Sequence, residues 1–375
     1  MARLIVYMAQ VLALIRKELL ALVKDPANRV LLFAPAIVQA LLFGYGATYD
    51  LTNAPYAVLD QGRGATSREL LARLDGTGIF RRIASLSSSD QIADEIESGN
   101  ALLVIVFPPD FESRLATGRE APLQLILDGR NSSTAGLAAA YVSSVVTTYT
   151  QSLYTQSLGT KPSVTVTRRA WFNPNLESRW NIMPALIAAL SMMQTLLLAA
   201  LTVAREREQG TFDQLLVTPL TPLQVLIGKA LPSMLVGVLQ STLIFLIILF
   251  WFRIPMNGSV GLLYLGLAIF TLASVGIGLS ISAVSLTMQQ AMLYTFMLIM
   301  PLMLLSGLLT PVRNMPEILQ IATYANPLRF GVDLVRRVYL EGATFTEVAL
   351  DFIPLLVVAA ATLPLAAWLF RNRLA

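Results

Sequence analysis

Four alternating charges, Arg205, Glu206, Arg207 and Glu208, stand between two long apolar runs of the chain. Guanidinium and carboxylate groups are costly to bury in hydrocarbon, so these charges mark a point at which the chain leaves a membrane. Gly210 follows them and permits a sharp turn. We interpret the charges as the start of a polar stretch that faces the cytoplasm. The alternative interpretation is a plain flank that only stops membrane insertion.

A short cytoplasmic coupling helix is predicted within 205–222. Thr211 and Gln214 have the spacing of a capping box, in which two side chains satisfy backbone N–H groups at a helix start. Phe212 falls on the apolar side of this helix and Asp213 on the polar side. A capped amphipathic helix between two spans is suited to receive a partner on the cytoplasmic face.

Several kinds of chemistry are excluded by what the sequence lacks. The chain has no histidine and no cysteine, which removes disulfides, thiolate chemistry and the commonest metal ligand. Gly228-Lys229 lacks both the earlier glycine and the following hydroxyl residue of a phosphate-binding loop. We therefore expect no enzyme activity, no metal and no cofactor in this chain. The net charge of +4 forms no basic stripe, so nucleic acid is not an expected partner.

The composition is that of a membrane protein. Of the 375 residues, 55% are hydrophobic and 13% charged, where a soluble domain has about 25% charged. The predicted fold is an α-helical polytopic membrane protein with about six transmembrane helices. These spans are predicted at 30–48, 182–204, 226–252, 260–284, 290–309 and 352–370.

The N-terminal segment, 1–29, is predicted to form an amphipathic helix that lies in the inner membrane interface. Apolar residues recur at helical spacing, while Arg16, Lys17 and Glu18 interrupt the stripe. Its cations would lie near anionic lipid head groups, and the alternative is a solvated cytoplasmic helix. Because cations precede the first span, the positive-inside rule places both termini in the cytoplasm.

An extracytoplasmic α/β domain is predicted to be inserted at 49–181. Apolar runs at 56–59, 101–107 and 123–127 have the length of strands, and helical patterns separate them. A further strand is predicted at 163–170. Short outer helices are predicted in 310–345, where three arginines violate the positive-inside rule unless they extend toward water: Arg329, Arg336 and Arg337.

The span cores, as drawn from hydropathy, are interpreted as free of ionisable side chains. Ion-coupled transporters keep such a group near the midplane, so a secondary antiporter is disfavoured. A transporter with neither a relay charge nor a phosphate loop must take its energy from a partner. Polar residues within the spans either line a path or bond adjacent helices, and the second interpretation is favoured. They are Gln194, Thr195, Gln240 and Ser241.

Several stretches, in order along nearly the whole chain, resemble ABC-2 type export permeases. The most specific is Arg205-Glu-Arg-Glu-Gln-Gly-Thr-Phe-Asp-Gln-Leu-Leu-Val-Thr-Pro219. Others are Arg16–Leu20 with Lys24-Asp-Pro26, Trp171-Phe-Asn-Pro-Asn175, and Leu305-Ser-Gly-Leu-Leu-Thr-Pro311 followed by Asn326-Pro-Leu-Arg329. The long segment after the first span is similar to the bacterial subgroup associated with drug or ion efflux.

This resemblance implies an exporter subunit in the bacterial cell inner membrane, multi-pass, that docks ABC ATP-binding subunits and pairs with a like or similar permease subunit. It implies that Arg205 to Asp213 form the coupling region, with Glu206 and Glu208 offering charge to the ATPase. Arg16 and Lys17 would belong to an interfacial elbow that moves with it. Asp213 replaces a glutamate common in the family. A periplasmic adaptor protein is a further possible partner, and the substrate class extends to drug-like, amphiphilic or ionic compounds.

The alternative function is a non-transporting membrane protein, a sensor or assembly scaffold whose outer domain binds a partner. A gene for an ATP-binding subunit beside this one would favour the exporter over the scaffold.

Overall fold

The computed structural model describes residues 2–24, 26–46, 51, 53–158, 178–212 and 220–373. The chain divides into two compact units, one of Met1–Thr48 with Ala170–Ala375 and one of Tyr49–Arg169. Each unit has its own hydrophobic core. The first is helical, and the second combines helices with a small sheet.

The helices of the described residues are α1 Ala2–Lys24, α2 Pro26–Gly46, α3 Ala65–Asp75, α4 Gln91–Glu97, α5 Phe111–Ala116, α6 Ser132–Leu158, α7 Ser178–Glu208, α8 Pro222–Leu246, α9 Val260–Val284, α10 Met288–Leu304, α11 Glu317–Ala322, α12 Pro327–Arg336 and α13 Phe345–Arg373. Single π-helical turns extend α8 over Ile247–Trp251 and α12 over Arg337–Glu341. The strands are β1 Ala54–Asp60, β2 Phe80–Leu86, β3 Leu103–Phe107 and β4 Gln124–Leu127.

Four of the described helices are long and apolar enough to cross a membrane. They are Arg179–Glu208, Leu223–Trp251, Val260–Val284 and Phe345–Arg371, which lie in α7, α8, α9 and α13. Two further apolar stretches are shorter, Phe33–Gly46 of α2 and Met288–Leu304 of α10. The chain is therefore a helical membrane protein, and the spans predicted at 30–48 and 290–309 stay predictions.

Helix α7 is the central element of the first unit. In its apolar window 78% of the residues are buried, against 28% in that of α13. Its buried side chains, among them Met183, Leu186 and Leu190, join the main core cluster with residues of α9, α12 and α13. A helix that is apolar all round and surrounded by other helices is a core helix of the bundle.

Small residues set the closest helix crossings. A Cβ atom added at Gly278 of α9 would lie 2.6 Å from the Cβ atom of Ala199 and 2.8 Å from the Leu196 carbonyl oxygen, both on α7. One added at Gly276 would collide with the Thr362 hydroxyl of α13. The two glycines therefore let α9 pack closely against two helices at once, as small residues do in membrane bundles.

Local sequence explains where several helices begin. Thr221 and Gln224 form a reciprocal capping box before α8, and Pro222 occupies the first helical position, where its missing N–H is not needed. The Thr287 hydroxyl accepts the backbone N–H of Gln290 at the start of α10. Asn326 caps α12 in the same way, by accepting the backbone N–H of Leu328.

The second unit contains a four-stranded sheet in the order β2-β1-β3-β4. β1 pairs in parallel with β2 and β3, and β4 is antiparallel to β3. Helices α3 to α6 follow the helical patterns of the sequence. β2 was not predicted, because its residues are mostly exposed and include Arg81 and Arg82 at the edge of the sheet. The strand predicted at 163–170 lies outside the described residues.

A candidate coupling site

The predicted exit charges lie in the last turn of α7, which ends at Glu208. Gly210 has φ +68°, a left-handed conformation that glycine adopts without the strain of a side chain, and it turns the chain sharply. The backbone N–H of Thr211 then donates to the Glu206 carbonyl at 2.9 Å and closes the helix end. Asp213 and Gln214 lie outside the described residues, so the capping box predicted at Thr211 is not described.

Glu206 is the centre of an ion network that is buried on the side of Lys229 and exposed on the side of Lys17. One carboxylate oxygen lies 2.8 Å from the Lys17 ammonium of α1, and the other lies 2.8 Å from the Lys229 ammonium of α8. Lys229 also contacts Glu18 of α1 at 3.1 Å. Only 7% of Glu206 and none of Lys229 is exposed. The network thus joins three helices that are distant in sequence.

The charges of this network cancel, because two lysines face two glutamates. Burial of an ion pair is tolerated when each charge has a close partner, whereas removal of one partner leaves a charge without compensation. Partial burial lowers the pKa of Lys17, but the hydrogen bond and charge of Glu206 outweigh this effect, and the pKa lies above its ordinary value. Glu206 is therefore an internal link rather than a free surface charge.

Arg207 and Glu208 contact the ends of two other helices. The Arg207 guanidinium donates at 3.0 Å to the carbonyl oxygens of Ala283 and Ser285, where α9 ends. The Glu208 carboxylate accepts the backbone N–H of Met288 at 2.7 Å, at the start of α10. A cation at a helix C-terminus and an anion at a helix N-terminus are both favourable toward the helix dipole. Glu208 remains exposed to solvent.

Phe212 anchors the chain after the turn. It is 8% exposed, lies in a core cluster with Leu226 of α8 and Phe370 of α13, and has the Arg207 guanidinium 4.9 Å from its ring centroid. Phe212, which was predicted on the apolar side of this segment, is thus buried against the bundle. A displacement of Phe212 would therefore disturb the packing of α8 and α13 around it.

The N-terminal helix packs against α8 along its length. A Cβ atom at Gly228 would collide with Leu14, and the Gln224 side chain donates to Gln10 at 2.8 Å. Arg16 is exposed and lies outside the ion network, in contrast to Lys17 and Glu18. The predicted elbow residues therefore separate into one outward cation and two network members.

The four candidate pathway residues are all buried within the helical bundle. Gln194 and Gln240 are 5% and 2% exposed, and Thr195 and Ser241 are completely buried. The Thr195 hydroxyl donates to the carbonyl of Ser191 in its own helix, and a Cβ atom at Gly237 of α8 would collide with that hydroxyl. This geometry favours the interpretation that Thr195 lies at a close helix contact.

Lys229 is the member of this network that the sequence did not single out as a site residue. It lies within the span Leu223–Trp251, so the interpretation that the span cores carry no ionisable side chain is wrong for this helix. The available signal was a single lysine in an apolar run, which is expensive without a partner of opposite charge. Its partners could not be chosen, because Glu18 and Glu206 are remote in sequence.

The outer arginines are bound within the first unit rather than simply extended toward water. Arg336 donates to the backbone carbonyls of Asn181, Gly307 and Leu308. Arg337 contacts the Asp351 carboxylate at 3.0 Å. Arg329 lies over the ring of Tyr324 at 4.4 Å. These contacts compensate the free-energy cost of burying the arginine side chains. Hydrogen bonding therefore replaces extension toward water as the explanation of their location.

The fold and this site define a polytopic membrane protein whose N-terminal helix is ion-paired to two of its long apolar helices. The chain belongs to the ABC-2 transporter family, because the profile described as "ABC-2 family transporter protein" matches residues 30–368. It is an ABC-2 type permease.

Three relatives illustrate this membership. A probable multidrug ABC transporter permease of Escherichia coli (strain K12), YbhR, is 42% identical over 96% of this chain and 98% of its own length. A second probable multidrug permease of that organism, YbhS, is 27% identical over 89% of both chains. The inner membrane transport permease YhhJ is 27% identical over 95% of both.

Proposed function

We propose that this chain is the permease subunit of an ATP-driven exporter that moves drug-like, amphiphilic or ionic substrates out of the cytoplasm or inner membrane. A separate ATP-binding subunit supplies the energy, and a second permease subunit completes the transporter. Relatives named as multidrug permeases support this proposal. The chain's lack of a phosphate-binding loop agrees with an ATPase site in another polypeptide.

The observation that carries the proposal is the ion network of Lys17, Glu18, Glu206 and Lys229. It ties the last turn of α7 to the N-terminal helix and to the start of α8. The turn at Gly210 follows directly and is exposed. A partner that presses on this turn therefore moves three helices together, which is the mechanical requirement of an energy-coupling site.

The chain's own residues then transmit the movement. Arg207 links the turn to the end of α9, and Glu208 links it to the start of α10. ATP binding by the partner supplies the work, and these contacts distribute it among the helices. Membrane transporters alternate access by a rigid-body movement that closes the bundle on one side and opens it on the other.

The proposed orientation places the coupling site in the cytoplasm of a bacterial cell, beneath the inner membrane. The shorter apolar helices α2 and α10 complete six spans in this arrangement, and the unit of Tyr49–Arg169 lies outside. Cations before α2 support it through the positive-inside rule. An outer adaptor protein would dock on that second unit.

The coupling proposal is tested with Lys17→Gln in the full chain, reconstituted with its ATP-binding subunit. This change removes the contact between α1 and Glu206 but leaves the buried Lys229 to neutralise the carboxylate. We expect ATP hydrolysis to continue while substrate-stimulated hydrolysis and export fall together. Lys24→Gln on the same helix is the control, because no ion pair of Lys24 is found among the described residues.

Two results would count against the proposal. Equal export by the Lys17→Gln and Lys24→Gln proteins would show that the ion network takes no part in energy coupling. Failure of the wild-type chain to bind any ATP-binding subunit, or to export any compound of a cationic, anionic and neutral drug panel with ATP, would remove the exporter function itself.

A further inference from the structure

A cavity of about 410 Å³ opens beside the ion network, between α1, the last turns of α7 and the middle of α8. This volume is within the range of about 300–1,000 Å³ that is common for small-molecule sites. The transport scheme above makes no use of it. What the cavity can bind follows from its walls and its charges.

One wall of the cavity is apolar. Leu198 and Leu201 of α7 line it together with Leu22 of α1 and Pro232 of α8. Leu22 also packs in a small cluster with Leu198. Three of these residues belong to the long apolar helices α7 and α8. This wall suits an alkyl chain rather than a purely polar solute.

The other wall carries an uncommitted cation. Arg205 lines the cavity, and among the residues that the structure describes no carboxylate or carbonyl accepts a hydrogen bond from its guanidinium. Lys17 also lines the cavity and is 55% exposed along its side chain. The carboxylates of Glu18 and Glu206 line the cavity as well, but each is paired with Lys229 or Lys17. One positive charge, that of Arg205, is left over.

We propose that this cavity binds an anionic amphiphile that carries a phosphate group, with the phosphate at Arg205 and Lys17 and the alkyl chain along the leucine wall. A planar guanidinium offers two parallel donors to phosphate oxygens, and an ammonium adds a third. The exit charges place the site at head-group depth, where anionic phospholipids supply this chemistry. The ligand would contact α1, α7 and α8 together.

The test measures lipid binding to the purified full chain by native mass spectrometry in detergent micelles. Dilauroyl phosphatidylglycerol and dilauroyl phosphatidylcholine are titrated separately, so that chain length is matched and only head-group charge differs. We expect tighter first binding of phosphatidylglycerol, with a preference that Arg205→Gln reduces about fivefold, the equivalent of about 1 kcal/mol. Arg205→Lys keeps the charge and should keep most of the preference.

Arg371→Gln is the matched control. This arginine is exposed next to Phe370, which shares a core cluster with Phe212 at the same end of the bundle, but it does not line the cavity. An equal loss of preference in the Arg205→Gln and Arg371→Gln proteins would overturn the proposal, because it would indicate only a general surface charge. An unchanged preference in Arg205→Gln would overturn it as well.

A second arm separates lipid from free phosphate. Inorganic phosphate at millimolar concentration is added to the lipid-bound protein, and retention of phosphatidylglycerol is expected because the alkyl chain contributes to binding. Complete displacement of phosphatidylglycerol by phosphate would indicate a simple anion site instead of an amphiphile site. Ala21→Phe fills the cavity from its α1 side without changing charge. This variant should bind phosphatidylglycerol more weakly than the wild type. Unchanged binding would contradict the assigned location.

Discussion

The Glu206 carboxylate lies 2.8 Å from the Lys229 ammonium, and Lys229 is completely buried. Glu206 lies in the last turn of α7, and Lys229 lies in α8. Their pairing therefore holds the end of α7 against α8. It also means that the carboxylate cannot be changed without an effect on the fold, so tests of the network must start from stability.

Lys229→Met should destabilise the protein by about 3–5 kcal/mol, because it leaves Glu206 and Glu18 without their buried cation. The measurement is thermal unfolding of the purified chain in detergent. The double change Lys229→Met with Glu206→Gln should recover part of the loss, since it removes the uncompensated charge. Lys24→Met serves as the exposed control, and an equal melting temperature for both single variants would show that the network is not structural.

Arg207→Gln should loosen the turn after α7, because the carbonyls of Ala283 and Ser285 lose their donor. Hydrogen bonds to a charged donor are worth about 1.5–3 kcal/mol each, of which solvent would replace a part. We expect faster limited proteolysis between residues 209 and 221 and a lower melting temperature. Arg371→Gln should leave the cleavage rate unchanged. Cleavage as slow as in the wild type would argue that the arginine contributes little.

Gly278→Ala should destabilise the bundle by about 1–3 kcal/mol, because the new methyl group would overlap Ala199 and the Leu196 carbonyl on α7. Gly261→Ala is the control on the same helix, since its nearest neighbour would be the Ser259 hydroxyl at 3.7 Å. Alanine also favours a helix over glycine, so the control should be neutral or slightly stabilising. If the melting temperatures of the Gly278→Ala and Gly261→Ala proteins changed in the same direction, the close crossing of α9 and α7 would be contradicted.

The second unit should lose stability at alkaline pH through Tyr56. Burial and the hydrogen bond to Asp75 raise the pKa of this phenol above its ordinary value of 10.0. Above pH 10.0 the unfolded tyrosine ionises while the folded one stays neutral, so stability declines as pH rises. Tyr56→Phe should lower stability at neutral pH but flatten this decline, as followed by chemical denaturation.

Tyr141→Phe provides the comparison for Tyr56→Phe, because the Tyr141 hydroxyl has no hydrogen bond among the described residues. It should change neither the stability at neutral pH nor the alkaline slope. Identical slopes in the wild type and Tyr56→Phe proteins would remove Tyr56 as the source of the pH dependence.

The apolar helices were accessible from the sequence because a membrane span is a local signal. The predicted span 260–284 coincides with α9, and Gly210 makes the turn that its residue type suggested. The family also followed from local motifs, and the profile match and relatives confirm it. Each of these features is set by neighbours in the chain.

The network and the edge strand depend on tertiary structure. Lys17, Glu206 and Lys229 come from three helices, and nothing in their separate surroundings selects one pairing over another. Strand β2 presents Arg81 and Arg82 to solvent and so lacks the apolar alternation of a half-buried strand. Glu206 was expected to face a partner, whereas it is buried, because its burial is decided by the packing of α1 and α8.

Helix α7 runs from Ser178 to Glu208, and at a rise of about 1.5 Å per residue its 31 residues extend about 46 Å. This length exceeds the hydrocarbon thickness of about 30 Å, so both ends reach the polar boundaries. The Asn181 carbonyl near one end accepts Arg336, and Glu206 at the other holds Lys17. α7 is therefore one continuous helix that connects the Glu206 network to the binding position of Arg336, and Pro184, three residues from Asn181, removes one backbone hydrogen bond near that end.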